Sequence, residues 1–366
     1  MASTLELILL YLVAAVAGAV VCRSLKLPPM LGYLVVGVLI GPNALSLAQD
    51  TSDLRFLAEF GVVFLMFVIG LEFNLPKLRS MRTLVFGLGL SQVVLTILGT
   101  LVGHFMLWWL FSWTATAWEL DWKGAIVLGS AMSMSSTAIV VKLMAERLEL
   151  DSEHGRRVMG ILLFQDLAVV PLLVLVPALG QSSGQGLWWS MGLAMLKASL
   201  LLALLLSGGQ RVMRWWLTLV ARRKSEELFV LNLLLITLGM AYLTEHAGLS
   251  LALGAFVAGM LVAETEYKHQ VEADIRPFHD ILLGLFFITI GMKLDWRPVI
   301  DNALIVVLLT SAPVLAKFVL VAVLARFFKA PLGVALRTGL YLAQAGEFGF
   351  VLLTRLEEHT SELQSQ

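Results

Sequence analysis

Mostly apolar stretches, each close to the length that crosses a bilayer, follow one another along nearly the whole chain. A hydrocarbon core about 30 Å thick takes roughly 20 such residues as a helix. A helix also satisfies its own backbone where no water can. Twelve candidate spans can be drawn, at 5–22, 30–47, 54–74, 83–111, 124–144, 157–180, 187–207, 227–246, 249–263, 278–294, 302–325 and 332–355. The expected fold class is therefore an all-α polytopic membrane protein. The second and ninth spans are short and glycine-rich. The stretch 208–226 either lengthens the seventh span or lies along the membrane interface, with its tryptophans as anchors. The first apolar run is followed by further spans and lacks a small-residue cleavage site, so it reads as a first span and not as a removable signal.

Composition narrows the function classes. Residues are 59% hydrophobic and 14% charged, against about 25% charged in a soluble domain. The 26 basic and 26 acidic residues cancel, which argues against a nucleic-acid partner. One cysteine, Cys22, allows neither an internal disulfide nor a cysteine zinc cluster. The six histidines show no ligand spacing. No nucleophile–base or metal-ligand set appears, so an enzyme is not expected. With the N-terminus outside, the inner loops hold eighteen Lys and Arg and the outer side five, with Lys142, Lys197 and Lys317 inside spans. That bias sets the expected topology.

An internal repeat is visible. LGYLVVGVLIGP begins at Leu31 and LGAFVAGMLVAE at Leu253, 222 residues apart. FLMFVIGLEFN and LFFITIGMKLD align Gly70 with Gly291, 221 residues apart. The second and third spans thus match the ninth and tenth, seven spans later. An odd separation inverts the copy, and inverted repeats are a transporter architecture with a site near the midplane. The expected division is a first repeat over 1–180, a linker span over 181–226 and a second repeat over 227–366. The second copy holds five spans, so the partner of the sixth is expected beyond residue 366. Either the chain is a fragment or this copy has lost its last helix.

Ionisable groups inside spans mark function by default. Asp166 lies near the middle of VMGILLFQDLAVVPLLVLVPAL. An ionised carboxylate there costs at least about 2.5 kcal/mol. Burial favours its protonated form and a nearby cation its ionised form, so proton and metal ion compete for it. The alternative is an Asp fixed in a static helix–helix hydrogen bond. Gln165 offers a neutral oxygen ligand, or packing glue. SAMSMSSTAIVVK (130–142) concentrates hydroxyls in mid-span, where a helix break and ordinary Ser/Thr back-bonding are both open. LAQAGEFGFVLL (342–353) places Gln344, Gly346, Glu347 and Gly349 at membrane depth and favours a break. Glu347 is placed to offset the positive ends of half-helices. Lys317 stands in position to pair with Asp166 or Glu347.

Together, LLFQDLAVVPLL, SMSSTAIVVKLMAER, GLSLALGAFVAGMLVAETEYKH, EADIRPFHDILLGLFFITIGMKLDW and AQAGEFGFV resemble the Kef-type potassium:proton antiporters, in the second branch of the monovalent cation:proton antiporter superfamily. The resemblance covers essentially the whole chain, as a membrane domain truncated before its last helix. It implies an inverted-repeat antiporter fold with two broken, crossing helices and about twelve of thirteen helices. It further implies a homodimer whose core domain moves like an elevator in a bacterial inner membrane. By motif position, Asp166 resembles the carboxylate that carries the ion and the proton, and Gln165 its ligand neighbour. Ser135, Ser136 and Thr137 resemble the unwound segment; Lys317 and Glu347 resemble the balancing charges. The inner loop with His269, Gln270, Glu272 and Asp274 resembles the loop that a cytosolic regulatory domain or ancillary subunit contacts. In such proteins that domain carries the nucleotide and glutathione response. It is not found in this sequence, and neither is a GxGxxG fingerprint, so no cofactor is expected within the chain itself.

The implied activity is exchange of K+, or Na+, for H+ at Asp166 by alternating access. The Gln-Asp pair resembles the potassium-handling group, whose exchange is electroneutral. A sodium exchanger of the same fold, a gated channel and a non-transporting scaffold are the alternatives.

Overall fold

The computed structural model describes residues 4–25, 27–48, 52–72, 79–112, 120–180, 192, 196, 208–247, 249–346 and 348–353. Among them the regular structure is helical. The helices are α1 (Thr4–Ser24), α2 (Pro29–Ile40), α3 (Ser52–Glu72), α4 (Leu90–Phe111), α5 (Trp122–Ser133), α6 (Thr137–Glu146) and α7 (Glu153–Gly180). They continue with α8 (Gln210–Ala221), α9 (Glu226–His246), α10 (Leu251–Ala263), α11 (Lys268–Lys293), α12 (Trp296–Asp301), α13 (Ala303–Phe327) and α14 (Leu332–Leu342). A π-helical turn at Leu84–Gly89 opens α4, and a further helical segment covers 348–353. Most of the span expected at 187–207 lies outside the described residues.

Five described helices are long and apolar enough to cross a membrane: Leu84–Leu110, Glu153–Val176, Glu226–His246, Lys268–Lys293 and Ala303–Phe327. α2 and α10 have 12 and 13 residues. At 1.5 Å per residue they reach only about 18–20 Å, short of the core thickness, as their sequences suggested. The stretch expected to extend the seventh span or to lie at the interface is helical, as α8 with two π-helical residues, 208–209, before it. It buries Met213, Leu217 and Val220, and Trp216 Nε1 ties it to Asn232 Oδ1 of α9 at 2.6 Å.

The chain divides into two compact units, Met1–Glu72 with Leu202–Val306 and Phe73–Leu201 with Val307–Gln366. Each draws on both copies of the repeat, so the copies are not the compact units. In the first unit the segments matched in sequence meet in pairs. A Cβ on Gly37 of α2 would meet the carbonyl oxygen of Ile288 and stand 3.0 Å from Cα of Gly291, on α11. A Cβ on Gly259 of α10 would meet the carbonyl oxygen of Phe67 and stand 2.8 Å from Cα of Gly70, on α3. The sequence offsets turn Gly37 into Gly259 and Gly70 into Gly291. The two backbone crossings therefore pair the same aligned glycines. Small residues let membrane helices approach this closely, where packing and not water expulsion drives association.

Gly259→Ala is expected to cost about 1–3 kcal/mol through forced separation of α3 and α10. Gly99→Ala is the control. A Cβ there meets nothing within 4 Å, and alanine favours a helix interior by roughly 0.5–1 kcal/mol. Thermal unfolding in mild detergent should move in opposite directions for the two.

The second unit carries the polar groups of interest. Leu88, Val140, Met144, Val158, Ile161, Leu162, Val321, Leu324 and Leu342 form one buried cluster. It joins the π turn, α6, α7, α13 and α14. This apolar packing fixes the depth at which the side chains of α7 face the two broken spans.

Candidate functional site

The fifth span is broken, as one of the two readings of its sequence held. α5 ends at Ser133, Met134 is extended (φ −78°, ψ 141°), and α6 starts after Ser136. Ser and Thr supply local partners that compete with helical hydrogen bonds. Ser136 does so by capping α6, its Oγ accepting from the Ile139 N–H at 3.3 Å. The twelfth span is also interrupted, between α14 and the helical segment at 348.

The two breaks touch. The Gly346 N–H donates to the Met134 carbonyl at 3.2 Å, and the Ser135 hydroxyl donates to the Leu342 carbonyl at 3.0 Å. The Gln344 Oε1 accepts from the Ser136 N–H at 3.3 Å. A Cβ on Gly346 would stand 2.7 Å from the Ser135 carbonyl carbon, so only glycine fits this crossing.

Lys317 of α13 reaches the same point and is buried. Its Nζ donates to the Met134 carbonyl (2.8 Å), to Ser135 Oγ (2.8 Å) and to the Gln344 carbonyl (3.1 Å). An ammonium has three donors, and all three go to neutral oxygens. Two of these are carbonyls at the C-terminal ends of α5 and α14. Helix ends leave such carbonyls without partners, with partial negative charge. Lys317 thus joins two half-helix ends. Glu347, expected to balance the opposite ends, lies outside the described residues.

α7 supplies the acid. Asp166 stands 13 residues from Glu153 (166 − 153) and 14 from Gly180 (180 − 166), at the middle of its helix. It is 9% exposed, beside Gln165 at 1%. The Thr137 hydroxyl, at the start of α6, donates to Asp166 Oδ1 at 3.1 Å. Gln165 Oε1 accepts from the Ser135 N–H at 2.8 Å. The structure therefore gathers Gln165, Asp166, Ser135, Ser136, Thr137 and Lys317 around one crossing. A carboxylate, a carboxamide and hydroxyl and carbonyl oxygens are hard donors of the kind that suit alkali cations.

Gln92 of α4 was not read from the sequence. It is fully buried and bonded to Gln165. A lone Gln in SQVVLTILGT was the only signal available.

A second polar cluster joins the loop after α6 to the last turn of α14. Glu149 Oε2 accepts from the Tyr341 hydroxyl at 2.5 Å and lies 3.1 Å from His154 Nε2. The His154 ring stacks on Tyr341 at 6.0 Å. A cavity of ≈ 480 Å³, lined by Arg147, Glu149, Arg337 and Tyr341, runs to Gln344 at the break. The Tyr341 hydrogen bond, followed by that of His154, holds the Glu149 carboxyl below its ordinary range. A depressed carboxyl lends stability above its unfolded value and loses it as pH falls through the folded value. Tyr341→Phe should therefore weaken the acid-side fall in a pH series of thermal unfolding below about pH 4.5. An unchanged acid limb would show that Glu149 does not carry it.

His269, Gln270, Glu272 and Asp274 lie in the first unit, on the opening turns of α11. The loop expected there is helical. Val271 and Ile275 are both buried, and their i,i+4 spacing pins one face of the helix beneath the polar residues. His269 and Glu272 side chains are 92% and 52% exposed, with Nδ1 and Oε2 4.0 Å apart.

Comparison with known proteins follows the same lines. The family model described as sodium/hydrogen exchanger, transmembrane, matches residues 10–363. The K(+) efflux antiporter 1, chloroplastic, of Arabidopsis thaliana is 42% identical over 331 residues, which is 88% of this chain and 27% of that protein. The putative K(+) efflux antiporter KefB of Alkalimonas amylolytica is 40% identical over 327 residues, 89% of this chain and 48% of that protein. The chain thus spans between a quarter and a half of the length of these relatives. Among solved structures, the sodium proton antiporter MjNhaP1 from Methanocaldococcus jannaschii at pH 8 matches with a TM-score of 0.71 at 16% identity. That match covers 100% of this chain and 91% of the other, and shows the fold.

Proposed function

This chain belongs to the transmembrane sodium/hydrogen exchanger family, and from that premise we propose that it exchanges a monovalent cation, K+ before Na+, for H+ by alternating access. The observation that carries the reading is the buried Asp166 at the crossing of two broken spans, hydrogen-bonded to Thr137 and flanked by Gln165. Asp166 releases its proton to one side and accepts an alkali cation, with hydroxyl and carbonyl oxygens of the unwound segment replacing part of the hydration shell. The unit then moves, and a proton displaces the cation on the other side. Potassium is preferred because both relatives above are named for K+ efflux and because Gln165 adds a neutral ligand in place of a second carboxylate.

The same reading assigns the two repeats to 1–180 and 227–366, joined by the linker 181–226. It takes Lys317 and Glu347 as the charges that balance the half-helix ends. It also takes a homodimer in a bacterial inner membrane, with the N-terminus outside. The cavity reaching Gln344 supports a water-filled approach from the face carrying Arg147 and Arg337. The exposed start of α11, with His269, Gln270, Glu272 and Asp274, is the surface offered to a cytosolic regulatory domain. Any nucleotide or glutathione response would enter through that partner. The fold neighbour, titled a sodium proton antiporter, supports the second reading, in which Na+ is the cargo.

Proteoliposomes carrying a pH dye separate these readings. A K+ gradient should drive proton movement in the opposite direction without net current, several-fold faster than an equal Na+ gradient. Faster exchange with Na+ would assign the second reading. Cation conductance without proton coupling would remove both.

A further inference from the structure

Two side-chain amides bridge the break in the fifth span. Gln165 Nε2 donates to Gln92 Oε1 at 2.8 Å. Gln92 Nε2 donates in turn to the Ser133 carbonyl and to Thr96 Oγ1, each at 3.1 Å. At the other end, Gln165 Oε1 accepts from the Ser135 N–H. The polarity of this chain is set at both ends by main-chain groups. A backbone N–H can only meet an oxygen, so Gln165 turns its oxygen toward Ser135. Its NH2 must then find an acceptor on α4, and Gln92 provides one. Gln92 can do so because its own NH2 finds the Ser133 carbonyl. Both amides are buried, 0% and 1% exposed, so a turned amide would leave donors without partners. The π turn before α4 contributes to this meeting. Gly89 at its end would place a Cβ 2.5 Å from Cβ of Phe164, so α4 lies directly on α7, one residue from Gln165.

We propose that Gln92 is a positioning residue. It holds the Gln165 carboxamide with its oxygen toward the unwound Ser133–Ser136 segment, and it thereby sets the affinity of the site for an alkali cation. Were the amide free to turn, it would present two N–H donors where a cation needs oxygen. The role in cation affinity rests on the exchange function proposed above; the role in orienting Gln165 does not.

Two substitutions separate orientation from bulk. Gln92→Met keeps length and removes every polar atom. Gln92→Glu keeps an acceptor for Gln165 Nε2 in either protonation state. Amide hydrogen exchange across Ser133–Thr137 should accelerate about tenfold in Gln92→Met, the loss of roughly one buried hydrogen bond, and clearly less in Gln92→Glu, which keeps the acceptor for Gln165 but, when ionised, not the donor to the Ser133 carbonyl. Titration of the purified protein with K+ at alkaline pH should show affinity about tenfold weaker in Gln92→Met and retained in Gln92→Glu. In liposomes the same change should appear in KM, with the maximal rate within about twofold.

Equal exchange and equal affinity in Gln92→Met and wild type would overturn the proposal, as would Gln92→Glu behaving like Gln92→Met. If Gln92→Met does not fold, Gln92→Asn, one methylene too short to reach both partners, should show the same direction of change, and no change would overturn the proposal. Wild-type protein that binds no alkali cation would instead sink the exchange function, and hydrogen exchange would still decide the orienting role.

Discussion

Asp166→Asn is expected to abolish cation-driven proton movement, at least about 100-fold below wild type, because in the proposed exchange this group takes up both cargoes and Asn would neither titrate nor carry charge. The substitution is nearly isosteric. Asn keeps an oxygen to accept from the Thr137 hydroxyl, so the bond at 3.1 Å can persist. The fold should be retained, as gel filtration and thermal unfolding would show. Flux in proteoliposomes with a K+ gradient and a lumenal pH dye is the measurement. Exchange persisting above one-tenth of wild type would remove Asp166 from the mechanism and leave a static helix–helix contact as its role.

The second large effect is expected at Lys317. Lys317→Met would leave the Met134 and Gln344 carbonyls and Ser135 Oγ without their shared donor. Hydrogen bonds from a charged donor contribute roughly 1.5–3 kcal/mol each, although the Met134 carbonyl keeps the Gly346 N–H and Ser135 Oγ keeps its bond to the Leu342 carbonyl. A loss of about 3 kcal/mol or more is therefore expected, partly offset by the apolar methionine. It should be concentrated at the crossing. The Gly346 amide, bonded to the Met134 carbonyl, should lose protection first in hydrogen exchange, while the glycine crossings of the first unit keep theirs. Uniform loss across both units, or unfolding at the wild-type temperature, would contradict a role confined to the two half-helix ends.

Parts of this arrangement were legible in the sequence for physical reasons. A carboxylate such as Asp166 in the middle of an apolar span has few reasons to exist there except function. Four hydroxyl residues, Ser133 and Ser135–Thr137, are a local cause for a local break, although the sequence leaves ordinary Ser/Thr back-bonding open beside it. The matched glycines were legible because both crossings meet the same steric demand.

What was not legible depends on contacts between distant residues. Glu149 and Tyr341 stand 192 positions apart, and nothing in either neighbourhood announces the other. Gln92 reads as a stray amide until α4 is laid on α7 and Gln165 is seen to need an acceptor. HQVEAD reads as a loop because its polar residues hide Val271, whose partner Ile275 lies just outside the motif. The carbonyls that Lys317 meets are not visible in sequence either, because a helix break frees them and no side-chain charge announces them.

The glycine crossings have a corollary for mutagenesis. The positions least able to accept a side chain come in pairs exchanged by the repeat, Gly37 with Gly259 and Gly70 with Gly291. A saturation library scored at one member should forecast the ranking at its counterpart more than 200 residues away, although the two share no neighbouring atoms.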